Sequence, residues 1–157
     1  MNTLGKECRA GWASARGYES SFNPLQLVGA DEIQAILAAV RRGELPADFQ
    51  SKLGRLRFGD LRQSAIEQHC RLFFEMLLAC HGGDFHDLTV EQFELVARVL
   101  AYVRKENDVI PDYLPLGFTD DHQEVRAASS ELSTVLQGFK AWRLKNQVPS
   151  LWVRCRA

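Results

Sequence analysis

Residues 61–81 read Leu61-Arg62-Gln63-Ser64-Ala65-Ile66-Glu67-Gln68-His69-Cys70-Arg71-Leu72-Phe73-Phe74-Glu75-Met76-Leu77-Leu78-Ala79-Cys80-His81. Leu61, Ala65, Ile66, Leu72, Phe73, Met76, Leu77 and Cys80 recur at helical spacing, so they line one side of a long helix. The stripe widens toward the C-terminal half, which predicts that this half lies centrally in the core. Phe58-Gly59 breaks the chain ahead of it, and Asp60 is a good N-cap. Gly82-Gly83 stops it by supplying left-handed conformations. A helix with so broad an apolar side must be covered by other elements, and the flanking sequence offers only helices.

Downstream, Thr89-Val90-Glu91-Gln92 is a capping-box pattern opening a helix to about Asn107, with Phe93, Val96, Ala97, Leu100 and Ala101 as its buried face. Upstream, Ile33, Ile36, Leu37 and Val40 mark a helix over 31–42 that Gly43 ends. Pro46 to Leu56 forms a shorter one with Phe49, Leu53 and Leu56 on one face, although Gly54 costs about 1 kcal/mol relative to alanine. Asn23-Pro24 starts the ordered part, with a short helical turn over 24–28. From Asp121 to Leu144, Val125, Ala128, Leu132, Val135, Leu136, Phe139 and Trp142 predict one long amphipathic helix. No strand-like alternation competes with these patterns. The expected fold is all-α: a compact bundle of five or six helices, with a proline-rich elbow before the last long helix. Residues 1–22 read as a flexible arm carrying Trp12 and Tyr18, residues 23–145 as a single helical domain, and residues 146–157 as a tail.

The 157-residue length suits one domain with a real core. A net charge of −1 gives no general attraction to nucleic acid. Residues 1–21 lack the apolar region of a signal peptide. The most apolar run, Leu72 to Cys80, contains Glu75 and falls far short of the ~20 residues of a membrane span. Cys8, Cys70, Cys80 and Cys155 show no paired spacing, so they read as free thiols in a reducing compartment. A soluble cytoplasmic protein is the expectation.

The elbow is Asp108-Val109-Ile110-Pro111-Asp112-Tyr113-Leu114-Pro115-Leu116-Gly117-Phe118-Thr119-Asp120-Asp121. Pro111 and Pro115 push Ile110 and Leu114 out of the α region, so 109–116 should be extended and stiff. Gly117 permits a sharp reversal. Thr119 or Asp120 can cap the next helix, and Asp120, Asp121 and Glu124 suit the positive end of its dipole. The run Asp-x-Ile-Pro-Asp-aromatic-Leu-Pro, then Gly and Asp-Asp before a helix, resembles the signature of the YkvA-type domain of unknown function. That module occurs widely in bacterial proteins. The resemblance covers roughly 95–142 and implies a helix–elbow–helix unit, often drawn as membrane-associated, without an assigned activity. Members of that family tend to have strongly apolar helices around the motif and a serine-proline step just before it; here Arg104-Lys105-Glu106-Asn107 occupies that place and the next helix starts Asp121-His122-Gln123-Glu124, which argues against membrane insertion.

The sharpest site hypothesis places Mg²⁺ or Ca²⁺ on Asp108, Asp112, Asp120 and Asp121, whose oxygens suit hard cations and which Pro111, Pro115, Gly117 and Thr119 could pre-organise. Against it, the four acids have ordinary work as caps, dipole partners or surface acids, and Arg98 or Arg104 is a competing partner for Asp112. The turn Cys80 to Asp87 gathers thiol, imidazole and carboxylate groups but matches no zinc spacing. His69 reads as a core-edge histidine and His122 as a solvated one. Ser129, Ser130, Ser133 and Thr134 read as solvent-facing. No nucleophile motif, phosphate-cradling glycine loop or HExxH occurs.

Two basic clusters, Lys52, Arg55, Arg57 and Arg62, and then Lys140, Arg143, Lys145, Arg154 and Arg156, can touch an acidic surface. One such surface is the chain's own acidic stretch from Glu106 to Glu131. These readings favour a protein-interaction or regulatory module with a protein partner or a second copy, more than an enzyme. A metal-dependent enzyme or sensor at the elbow, and a peripheral membrane protein, are the alternatives.

Overall fold

The computed structural model describes residues 24–105 and 118–146. Among them are a 3-10 turn, Pro24–Leu27, and six α-helices: α1 (Ala30–Arg42), α2 (Ala47–Arg57), α3 (Leu61–His81), α4 (Val90–Arg104), α5 (Thr119–Glu131) and α6 (Ser133–Lys145). No strand occurs among the described residues, and the helices pack as a bundle. None is long and apolar enough to cross a membrane.

Local chemistry sets the ends. Gly43 closes α1 in the left-handed region, at φ 84°, and its N–H bonds the carbonyls of Ala39 and Val40. Asp60 and Thr89 each form a complete capping box, with Gln63 and Gln92 respectively, so that two amides at each start are satisfied. After α3 only Gly83 is left-handed, at φ 80°; Gly82 is helical.

Two helices form the centre. α3 touches α1, α2, α4 and α5, and α4 touches the 3-10 turn, α1, α2, α3 and α5. Because α4 is surrounded, burial runs almost round its second half: Val96, Ala97, Val99, Leu100, Ala101, Tyr102 and Val103 are all buried. In α3 the core face is carried by Ile66, Cys70, Phe73, Phe74, Met76 and Leu77, whereas Leu61 is 90% exposed and does not join the stripe. The C-terminal half of α3 is the central one, as the widening stripe predicts.

The expected single helix over 121–144 is two. The break falls at Leu132, whose backbone (φ −99°, ψ 14°) leaves the α-helical region, although the N–H of Leu132 still reaches Ala128 O at 2.9 Å. Ser129, Ser130, Ser133 and Thr134, all poor helix formers, flank this point. Leu132 itself is buried, so the bend keeps the apolar stripe on the core while redirecting the chain. In α6, Phe139 and Trp142 then cover Phe85, at ring-centroid distances of 5.2 and 5.8 Å.

Residues 1–23, 106–117 and 147–157 lie outside the described residues. So do the arm, the tail, most of the elbow with Asp108, Pro111, Asp112, Pro115 and Gly117, and cysteines 8 and 155.

Candidate functional site

The densest polar chemistry lies where the end of α4, the start of α5 and the middle of α2 meet. A helix C-terminus leaves carbonyls without intrahelical partners and carries partial negative charge. At the end of α4 those carbonyls are met by a lysine from α2. Lys52 Nζ donates to Val103 O and, at 2.8 Å, to Lys105 O. It also stands 3.6 Å from Asp121 Oδ2 and 5.6 Å from the centre of the Phe118 ring. Lys52 is 3% exposed and Asp121 0%, so the pair is desolvated.

One turn away, Tyr102 OH donates to Asp120 Oδ2 at 2.7 Å, with both groups buried. Glu124 is buried beside them on the same face of α5. Cys70 of α3 completes the surroundings. Burial, with the Asp121 carboxylate next in weight, pushes its thiol above the ordinary range. The cluster is therefore an inert thiol with an acid-rich helix start locked to a lysine-capped helix end.

This arrangement corrects several expectations. Asp120 and Asp121 do occupy the first turn of α5, near the positive end of its dipole, but they are buried and bonded inward instead of facing solvent. Neither Thr119 nor Asp120 is the N-cap; Phe118 is, and it makes no side-chain cap bond. The Thr119 hydroxyl is buried and has no hydrogen bond among the described residues. Ser129 likewise turns its hydroxyl inward. Lys52 leaves the surface basic cluster for the core, where it meets the chain's own acidic stretch.

Among the described residues no three His, Cys, Asp or Glu side chains converge as a metal would require. Asp108 and Asp112 lie outside those residues. Arg104, a competing partner for Asp112, pairs with Asp48 of α2 at 3.1 Å.

Lys52, Tyr102 and Glu124 were not singled out from the sequence as site residues, although a signal existed. Phe49, Lys52, Leu53 and Leu56 fall on one helical face, as do Asp121, Glu124, Val125 and Ala128. A charged residue inside an apolar stripe is buried with its partner.

A second feature is apolar. Between α1 and α4 runs a groove of about 430 Å³ lined by Ile33, Leu37, Cys80, Leu88, Val90 and Phe93, together with the polar Gln34, Glu94 and Arg98. Val90 is 72% exposed there. Cys80 is the only member of the 80–87 turn that reaches the groove. A polar cleft of about 280 Å³ separates α3 from α6, crossed by the Arg143–Glu75 pair and flanked by Arg71–Glu67.

His69 behaves as a core-edge residue: its Nδ1 sits 2.8 Å from Ala65 O, and its ring lies beside Phe73. His122 is partly buried, not fully solvated. Burial first, then Arg126, Arg62 and His69, hold its pKa below the ordinary value, against a smaller opposing pull from Asp60.

Compared with protein-family models, with curated proteins and with solved structures, the chain finds no match to any of them.

Proposed function

We propose that this domain is a protein-interaction module that receives the apolar face of a partner's helix in the α1–α4 groove. The observation that carries this reading is the groove itself: an open, mostly apolar trough between two helices, with Gln34, Thr89, Glu94 and Arg98 as its polar lining. That is the form used when an amphipathic helix anchors itself through side chains at i, i+3 and i+4. The exposure of Val90 supports it, because a large aliphatic side chain at a groove mouth gains from being covered. The charged junction at Lys52 serves this role indirectly by fixing α2, α4 and α5 against one another, so that α4 presents a rigid wall.

The test is Val90→Glu, which places a charge at the groove mouth on an exposed first-turn position and so leaves folding intact. Quantitative affinity capture compares it with the unchanged chain and with Gln137→Glu on α6. Loss of a defined partner only in Val90→Glu bears the reading out. An identical captured set in all three defeats it. Self-association by light scattering that Val90→Glu abolishes assigns the groove to a second copy instead.

A further inference from the structure

We infer that the turn between α2 and α3 is an attachment point for an anionic lipid surface, with Phe58 and Leu61 entering the acyl boundary and Arg55, Arg57 and Arg62 meeting the headgroup phosphates. Among the described residues the exposed large apolar side chains are Leu27, Phe58, Leu61, Val90 and Leu144, and only Phe58 and Leu61 share one turn of chain. They are 82% and 90% exposed, so both stand out from the bundle. A single exposed hydrophobe is ordinary on a protein surface; two within four residues at a protruding tip mark a place that something apolar covers.

Charge then says what covers it. From Ser51 to Arg62 the sole acid is Asp60. Its carboxylate accepts from the Gln63 N–H at 2.9 Å and caps α3, where the helix dipole offsets its charge. Arg55 and Arg62 are exposed and Arg57 is partly so. The Arg57 guanidinium lies 5.2 Å from the centre of the Phe58 ring. A ring with a cation against it suits the headgroup level, where the ring reaches the acyl boundary and the cation stays with phosphate. Complementary charge selects an anionic bilayer, and the aliphatic Leu61 near the ring favours hydrocarbon over stacked bases.

The backbone of the turn can leave water at little cost. The Phe58 N–H donates to Arg55 O, the Gly59 N–H to Leu56 O, and the Asp60 N–H to Gln63 Oε1 at 3.0 Å. All three amides of the turn are therefore satisfied before any lipid is met, as an interfacial segment requires. The turn is also preformed. The Gln63 side chain folds over Gly59 so closely that a Cβ there would stand 1.6 Å from Gln63 Oε1. No ordering of the tip has to accompany binding. Two apolar side chains and three arginines give a reversible attachment, on the scale of one acyl chain or weaker. The groove between α1 and α4 is built from other residues and stays open to its own partner.

The experiment floats the full chain with vesicles of phosphatidylcholine alone, or of phosphatidylcholine and phosphatidylserine at about three to one, at about millimolar lipid. Binding to the anionic vesicles only is expected, several-fold weaker when salt rises from about 0.1 to about 1 M. Phe58→Ser and Leu61→Ser should each weaken it about tenfold, and Arg62→Gln about fivefold. All three positions are exposed, so none of these variants should lower the melting temperature. Phe58→Trp should add a blue-shifted emission that brominated acyl chains quench, over and above the signal of Trp12, Trp142 and Trp152. Three results overturn the proposal: no flotation, equal flotation with neutral vesicles, or binding that survives the tip variants and is lost in Lys140→Gln or Lys145→Gln, which assigns it to α6. Vesicles left unbound while Phe58→Ser and Leu61→Ser abolish affinity capture of a protein overturn it as well, and give the tip to that protein.

Discussion

Replacing Lys52 with methionine keeps the length and most of the volume of the side chain but removes its charge and every hydrogen it donates. The loss is large for three reasons that can be read at the site. The carbonyls of Val103 and Lys105 lose a donor in a buried setting, which costs about 1–3 kcal/mol for a carbonyl left unmet. Asp121, fully buried, loses a cation 3.6 Å away. Removing one member of a buried pair costs about 3–5 kcal/mol, because the survivor keeps its desolvation penalty. These contributions overlap, and methionine restores apolar contact, so Lys52→Met should destabilise by about 3–5 kcal/mol in all. Urea unfolding followed by far-ultraviolet circular dichroism measures this as a fall in midpoint at constant slope. The melting temperature should drop on the order of 10 °C for a chain of this size. Asp121→Asn tests the same pair from the other side. The double variant should cost at least ~1 kcal/mol less than the sum of the two singles, since the sites touch. A loss below ~1 kcal/mol for Lys52→Met, or additivity within ~0.5 kcal/mol, would refute the view of Lys52 as the residue binding α2, α4 and α5.

Tyr102→Phe removes only the hydroxyl given to Asp120, and should cost about 1–3 kcal/mol in the same unfolding assay, the range for a buried polar group left without its partner. Thr89→Ala loses the capping box of α4 and should cost about 1 kcal/mol, whereas a cost near zero would mean that α4 is fixed by packing alone. Cys70 should resist iodoacetamide in the native state and label only as fast as the protein opens, read by peptide mass spectrometry. Rapid native labelling would mean that α3 opens locally. His122 titrates below its unfolded value, so above that value it has no effect on stability. As pH falls below ~6.5 the unfolded chain takes up the proton first and stability declines. His122→Gln should flatten that part of the pH–stability profile, and an unchanged profile would assign the loss to other groups.

The helices were legible because their signals are local. Glycine at 43, the cap at Asp60, the capping box at Thr89, and stripes such as Ile33, Ile36, Leu37 and Val40 depend only on neighbours along the chain. What the periodicity could not reveal is how many partners a helix has. Phe74 and Val103 lie off the stripes read for α3 and α4, yet both are fully buried, because each helix is enclosed from several sides. The break at Leu132 escaped for a related reason: a bend that keeps Leu132 and Leu136 inward leaves the spacing of apolar residues intact. At the site, Asp120 and Asp121 were found but read as caps, dipole partners, surface acids or metal ligands, since a first-turn acid and a buried partner of a distant lysine look alike in sequence. Lys52 and Asp121 are far apart in the chain, and only the packing of both α2 and α5 on α4 brings them together. The basic clusters divided in the same way. Lys52 turned inward and Arg143 crossed to Glu75, while Arg62 stayed exposed.

The grip of Lys52 has a consequence for how this chain can change over generations. One ammonium holds residues 103 and 105 on one side and residue 121 on the other, so the endpoints of the 106–117 connection are set by α2 and not by the connection itself. Lengthening a segment between fixed endpoints is inexpensive: each doubling adds only ~0.6 kcal/mol of closure entropy. That closure cost is small beside the about 3–5 kcal/mol carried by the contacts of Lys52. A mutation at Lys52, far away in sequence, would release residues 103, 105 and 121 together.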